Sequence, residues 1–408
     1  MTTILLIIIY LAFISLGLPD SLLGAAWPVM QTDLGAPLET AGLLSMTIAG
    51  GTILSSLVSG KVLKRFGTGK VTAVSVLMTA GALLGFQFAP SVVWFMVFAI
   101  PLGLGAGAVD AGLNDYVSLH YKAHHMSWLH CFWGVGATLG PIIMAQFISG
   151  QGSWRNGYFT IAAIQFGLVI LLFLTLPLWN KVKNNSPQTV QIEEPQSVTL
   201  EEDAKEVKPL QKKGVKLALA SFLFYCGVEA TVGLWGSSFL VNIKGLSAAT
   251  AAHWVSMYYG GITIGRLVTG FITFKMTNRN LIRMGQIIAL TGAVILFLPL
   301  PTTFSLVGFI IVGLGLAPIF PCMLHETPAR FGKKHSQTIM GYQMAVAYVG
   351  TTFLPPLLGY IASQSTIGIF PIAMVLFVAV MLLSSEKLNS LLNKKGITDA
   401  LNPSSISK

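Results

Sequence analysis

Charge is what this chain has least of. Only 10% of its 408 residues are Asp, Glu, Lys or Arg, against 53% hydrophobic ones, a balance that cannot cover the surface of a water-soluble domain of this size. Cysteine is limited to Cys131, Cys226 and Cys322. Each lies in an apolar stretch, which implies no disulfide framework and suits small packing residues. There is no Gly-rich phosphate loop of the Walker type, no zinc metalloprotease motif and no nucleophile elbow, so no cofactor and no ATP-driven chemistry is expected. The histidines have no carboxylate or thiolate set at ligand spacing beside them, and no metal site is expected.

Long apolar runs take the place of charge. Twelve of them recur along the chain, at about 4–30, 40–62, 70–89, 92–118, 127–149, 156–179, 215–241, 250–274, 281–299, 304–325, 338–362 and 367–386. Each is long enough to cross a hydrocarbon core of roughly 30 Å as a helix. The first has no basic residue before it and contains Pro19, Asp20 and Pro28, so it is expected to remain a membrane helix rather than a cleaved signal. The net charge of +10 marks orientation. All but three of the 25 Lys and Arg residues fall in alternate loops or the C-terminal tail; the exceptions are Arg155 and Lys244 in the opposite loops and Arg266 inside helix eight. This asymmetry predicts a multi-pass protein of the cell (inner) membrane with both termini cytoplasmic, and a lipid rather than a nucleic-acid environment.

The polar stretch 181–213, with Pro187, Pro195, Pro209 and the acidic run Glu201, Glu202 and Asp203, reads as a cytoplasmic linker. It separates residues 1–180 from 214–388, six helices each, with 389–408 as a cytoplasmic tail. Sliding the first half onto the second by 210 residues superposes eight glycines: Gly17/Gly227, Gly35/Gly245, Gly50/Gly260, Gly51/Gly261, Gly60/Gly270, Gly103/Gly313, Gly105/Gly315 and Gly140/Gly350. Chance predicts about two, so the halves are a duplication. Helices in lipid approach closely where side chains are small, so shared glycines mean shared packing. The expected fold is an all-α membrane protein, two pseudosymmetric six-helix bundles with a site between them near the midplane. A duplicated scaffold without transport is the other reading.

An ionised side chain in mid-bilayer costs on the order of 3 kcal/mol and needs a partner, a wet cavity or a proton. Asp20 in helix one and Glu229 in helix seven fall almost on equivalent points of the repeat, followed by Trp27 and Trp235. An acid and an indole within two turns can face one cavity, the acid binding hydroxyls or a proton and the indole offering a face to a sugar ring; alternatively the acids only tie helices together. Asp110 and Asn114 share a face of helix four at i, i+4. The position equivalent to Asp110 is Phe320, so the shared fold does not require this carboxyl. Burial disfavours a charged carboxylate, and such a group can load and release a proton. Asp110, Asp20 and Glu229 are the proton-coupling candidates, the first preferred. Asp115 and Glu326, nearer the membrane surface, are expected as gate or capping groups. Arg266 can either snorkel to the interface or pair with an acid. His130 and Trp133 lie one turn apart on helix five, and Gln343 is the repeat counterpart of Trp133; with Trp27, Asn114 and Trp235 they complete the expected lining. No specific role is expected of His124 and His125.

Several segments together resemble the fucose permease-like branch of the major facilitator superfamily. They are Gly103 to Tyr116, Met126 to Pro141, Gly227-Val-Glu229 followed by Trp235, Gly260-Gly-Ile-Thr-Ile-Gly-Arg266, and Gly313-Leu-Gly-Leu-Ala-Pro-Ile-Phe-Pro321. The resemblance implies proton-driven import of fucose, galactose or glucose by alternating access, with the branch's helix-four acid at Asp110 and its asparagine at Asn114. The branch's helix-one acid falls nearer Gly24 than Asp20. Of the loop two-three motif, Gly60, Arg65 and Gly67 are present and make Arg65 a gating candidate alongside Asp115, Arg266 and Glu326, but Lys64 stands where an aspartate is usual. The expected function is proton-coupled uptake of a monosaccharide by a monomer. Efflux of a drug or amphipathic metabolite is the alternative, and a membrane sensor or enzyme a remote one.

Overall fold

The computed structural model describes residues 2–121, 123–149, 152–179, 209–273 and 275–400. The expected linker lies largely outside them, as do residues 401–408 of the expected tail. In chain order the long helices are α1 (Thr2–Asp20), α2 (Leu22–Asp33), α3 (Thr40–Phe66), α4 (Thr68–Phe88), α5 (Val92–His120), α6 (Ala123–Ile148) and α7 (Trp154–Leu174). After the described part of the linker follow α8 (Val215–Asn242), α9 (Ala248–Ile272), α10 (Asn278–Phe297), α11 (Thr303–Leu316), α12 (Ile319–Phe331), α13 (Lys333–Ser363) and α14 (Phe370–Ala400). Counting α1 with α2 and α11 with α12, they occupy the twelve expected crossings.

Two of those crossings are broken rather than continuous. Pro19 has no N–H to give to the Ser15 carbonyl four residues back. That carbonyl instead accepts from Gln165 Nε2 at 2.8 Å, and the helix restarts beyond Ser21, next to Asp20. The tenth crossing breaks at Ala317 and Pro318. Hydropathy also departs from expectation at one place: among the described residues eleven crossings are apolar enough to span by composition, and α9 is not among them. It carries His253, Trp254, Tyr258, Tyr259 and Arg266, which is the composition of a helix with an inward polar face.

The duplication extends to atomic contacts. A Cβ added at Gly51 would come within 3.1 Å of the Ile100 carbonyl; at Gly261 it would come within 2.8 Å of the Ile310 carbonyl, 210 residues on. Gly103 backs onto the Ile48 carbonyl and Gly313 onto that of Tyr258, again an equivalent pair. Each half is also stapled by a buried glutamine, though not at equivalent positions. Gln165 of α7 accepts from Thr79 of α4 at 2.8 Å while it holds Ser15 of α1. Gln286 of α10 donates to Ser385 of α14 at 2.8 Å, and Ser385 meets Ser221 of α8 at 3.0 Å. In both halves the first, third and sixth crossings are thereby joined by hydrogen bonds that lipid cannot replace.

Glycines mark three of the contacts between the halves among the described residues. Gly24 of α2 backs onto the Gly233 carbonyl of α8, Gly42 of α3 lies against Pro356 of α13, and Gly134 of α6 lies against the Thr263 side chain of α9. The first two lie in the half of the molecule away from the chain ends, and the third lies nearer the middle. Towards the chain ends, Asp115 on α5 is exposed.

Candidate functional site

The contact between Gly134 and Thr263 sets the geometry at the centre. It seats Trp133 of α6 beside the next turn of α9, where Arg266 projects, and the guanidinium carbon lies 5.4 Å from the centre of the indole ring. Such stacking of a cation on a Trp face contributes about 0.5–2 kcal/mol, more as water is excluded. On its other side Arg266 Nη2 lies 3.7 Å from Glu229 Oε1, with the two side chains 14% and 19% exposed. Arg266 is therefore paired rather than snorkelled. The Trp133 indole N–H donates to Asp20 Oδ2 at 2.7 Å. A continuous chain, Asp20, Trp133, Arg266 and Glu229, thus runs from the first half into the second. Asp20 itself keeps accessible surface, next to the break between the first two helices at Ser21, and its carboxylate is held by the indole N–H.

Aromatic groups surround this chain. Tyr259 meets Trp133 edge-on at 6.4 Å, and the Tyr258 hydroxyl donates to the Glu229 backbone carbonyl at 3.2 Å. His130 is half-buried and lies edge-on to Phe13 at 5.8 Å. A second cluster is centred on Asp110. Asn114 Nδ2 donates to both the Asp110 carbonyl and Oδ1 at 2.9 Å, and Tyr348 of α13 hydrogen-bonds with Ser56 of α3 from the opposite half, within electrostatic range of Asp110. Tyr348 escaped the sequence reading because a tyrosine in an apolar helix has no periodic or charge signal; only the packing of α13 against α3 brings it to Ser56.

Three of the expected lining residues are buried away from the central chain in this structure. Trp27 and Trp235 are both 0% exposed, and Trp235 Nε1 is committed to the Pro355 carbonyl at 2.7 Å while its ring fills the space beside Gly359. Gln343 is buried and its Oε1 accepts from Thr327 at 3.0 Å. All three are buried inside the bundles, apart from the central chain. His125 is likewise not idle: its Nδ1 meets the Tyr10 hydroxyl at 2.8 Å and ties α6 to α1; the side chain of His124 lies outside the described residues. Among the gating candidates, Glu326 is bound to Arg330 one turn on at 3.3 Å within its own half. Arg65 and Asp115 are exposed and stand apart from the central chain.

Similar proteins agree with this architecture. The Bacillus subtilis glucose/mannose transporter GlcP is 21% identical over 91% of this chain and 92% of its own length. A glucose/galactose transporter of Brucella abortus is 24% identical over 78% of each. Among solved structures, the inward open form of the xylose transporter XylE from E. coli superposes with a TM-score of 0.73 at 12% identity, covering 95% of both chains. The Major Facilitator Superfamily model matches residues 9–342. With its two duplicated bundles, broken first and tenth crossings and charged centre, the chain is a multi-pass membrane transporter belonging to the Major Facilitator Superfamily.

Proposed function

We propose that this transporter imports a monosaccharide of the glucose, galactose or fucose type together with a proton, by rocking its two halves about the central site. The observation that carries the reading is the chain from exposed Asp20 through Trp133 and Arg266 to Glu229. An acid, an aromatic face and a paired cation near the meeting of the halves support this reading, since they are the groups a hydroxylated solute and a proton need. The named substrates of GlcP and the Brucella transporter support a sugar. Asp110, held by Asn114 and within electrostatic range of Tyr348, stays the first candidate for the proton, with Asp20 and Glu229 behind it, and Trp133, His130 and Asn114 as solute contacts. The halves are 1–180 and 214–388, the protein acts as a monomer in the inner membrane, and the distribution of Lys and Arg supports cytoplasmic termini.

In proteoliposomes, a transported sugar is expected to evoke an alkalinisation of the outer medium on entry. Full proton-coupled uptake by Asp110→Asn would remove Asp110 from the proton path. Counterflow that accepts an amphipathic drug and no labelled sugar would replace the whole reading by efflux.

A further inference from the structure

Two cavities of about 10 Å³ each lie inside the bundles, the room of one water molecule. The cavity in the first half is lined mostly by apolar side chains, Leu16, Val76 and Val109 among them, and cavities of that kind stay dry. The cavity in the second half is polar. Around it α8 brings Ser221, α12 brings Thr327 and Arg330, α13 brings Gln343 and α14 brings Ser385. Ser221, Thr327, Gln343 and Ser385 are each at most 3% exposed, and the Arg330 side chain is 9% exposed. The points of the first half equivalent to Ser221, Thr327 and Gln343 hold Leu11, Val117 and Trp133, so the shared fold does not require this polar set.

The hydroxyl hydrogens of the set are already placed. Thr327 directs its own between the Met323 carbonyl at 3.1 Å and Gln343 Oε1 at 3.0 Å. With the Ser221 hydrogen given to the Met381 carbonyl at 3.2 Å, Ser385 donates to Ser221 at 3.0 Å and accepts from Gln286 Nε2 at 2.8 Å. The N–H groups fare differently. Gln343 is engaged only through its Oε1, and its Nε2 has no acceptor among the described residues. Arg330 Nε donates to Glu326 at 3.3 Å, while Nη2 reaches Asn389 Oδ1 only at 3.5 Å. Donors with no near acceptor, and hydroxyl oxygens with a lone pair to spare, thus surround a space of one water. Leaving a buried amide N–H unpaired is costly, and the lipid around the bundle supplies no partner.

We propose that this cavity is a binding site for one water molecule, which accepts from Gln343 Nε2 and the Arg330 guanidinium and donates to the hydroxyl oxygens of Thr327 and Ser221. The water joins α8, α12 and α13 through those groups. Its place matters for α12, which follows the break at Ala317 and Pro318 and contributes both Thr327 and Arg330. The site stands apart from the central chain, and neither the sugar nor the proton reading bears on it.

The experiment is X-ray hydroxyl-radical footprinting of the full chain in liposomes, read by mass spectrometry. Radiolysis of a held water releases a radical beside its neighbours, so a buried methionine is oxidised quickly only where water is resident. Met323 lines the cavity and is 4% exposed. Met144 and Met374 are 0% exposed, do not line it and serve as references. Met323 is expected to be oxidised several-fold faster than either. Gln343→Leu, which removes the amide donors, is expected to bring Met323 down to the reference rate. Oxidation of Met323 no faster than that of Met374 in the unaltered protein overturns the proposal, and this comparison stands even if the variant fails to fold. An undiminished Met323 rate in a Gln343→Leu protein whose Met144 and Met374 rates are unchanged also overturns it.

Discussion

Gly24 is the residue at which the rocking of the halves is most open to perturbation. It lies in α2 with its Cα against the Gly233 carbonyl of α8, and a Cβ there would also come within 2.8 Å of the Leu234 Cα. Both obstacles are backbone, so no side chain can rotate away. Gly24→Ala raises helix propensity by about 1 kcal/mol, and the fold of α2 is not endangered. Overpacking a close contact costs typically 1–3 kcal/mol, and here it is confined to the state in which α2 and α8 touch. The population of that state is expected to fall by about 5- to 150-fold relative to the alternative. Thr32 and Asn242 are exposed repeat equivalents on the side away from the chain ends, and spin labels there, with Cys131, Cys226 and Cys322 replaced by alanine, are expected to move apart in Gly24→Ala. Uptake, which requires both states, is expected to slow by a factor within the same range. If the distance distribution and the uptake rate both remained those of the unaltered protein, the α2 to α8 contact would not be a moving joint and the reasoning would fail.

Two further substitutions separate packing from function. Gln165→Leu leaves the Ser15 carbonyl and the Thr79 hydroxyl without their partner in the first bundle; it is expected to cost about 1–3 kcal/mol, read as a fall in thermal midpoint in detergent, with the solute Kd unchanged. Trp235→Phe removes the N–H given to Pro355 and is expected to lower the thermal midpoint while leaving solute selectivity alone; a change of preferred sugar would return Trp235 to the lining.

Much of the architecture was legible because its signals are one-dimensional. Hydropathy over a span-length window is a property of neighbours in sequence, and a duplication leaves its glycines at a constant offset. Hence the twelve crossings and the equivalence of the halves could be read directly, down to Gly51 and Gly261, which meet the equivalent carbonyls of Ile100 and Ile310. The charged positions in the membrane were legible for the same reason: a carboxylate in an apolar run stands out against its neighbours. Trp27, Trp133 and Trp235 look alike in sequence, each a tryptophan in an apolar helix near an acid or a histidine. Yet two are sealed in the bundles, and one stands between Asp20 and Arg266.

By itself, then, the sequence determined that the chain lives in lipid, that it crosses about twelve times, that it is two copies of one bundle, and which few charges need an explanation. Only the tertiary structure decided how those charges are answered. The rotation of each helix about its own axis is set by contacts with other helices, Gly134 against Thr263 and Gly24 against Gly233 among them. That rotation, which no local pattern encodes, is what turned Arg266 to Glu229 and Trp133, brought Tyr348 to Ser56, and committed Gln343 to Thr327.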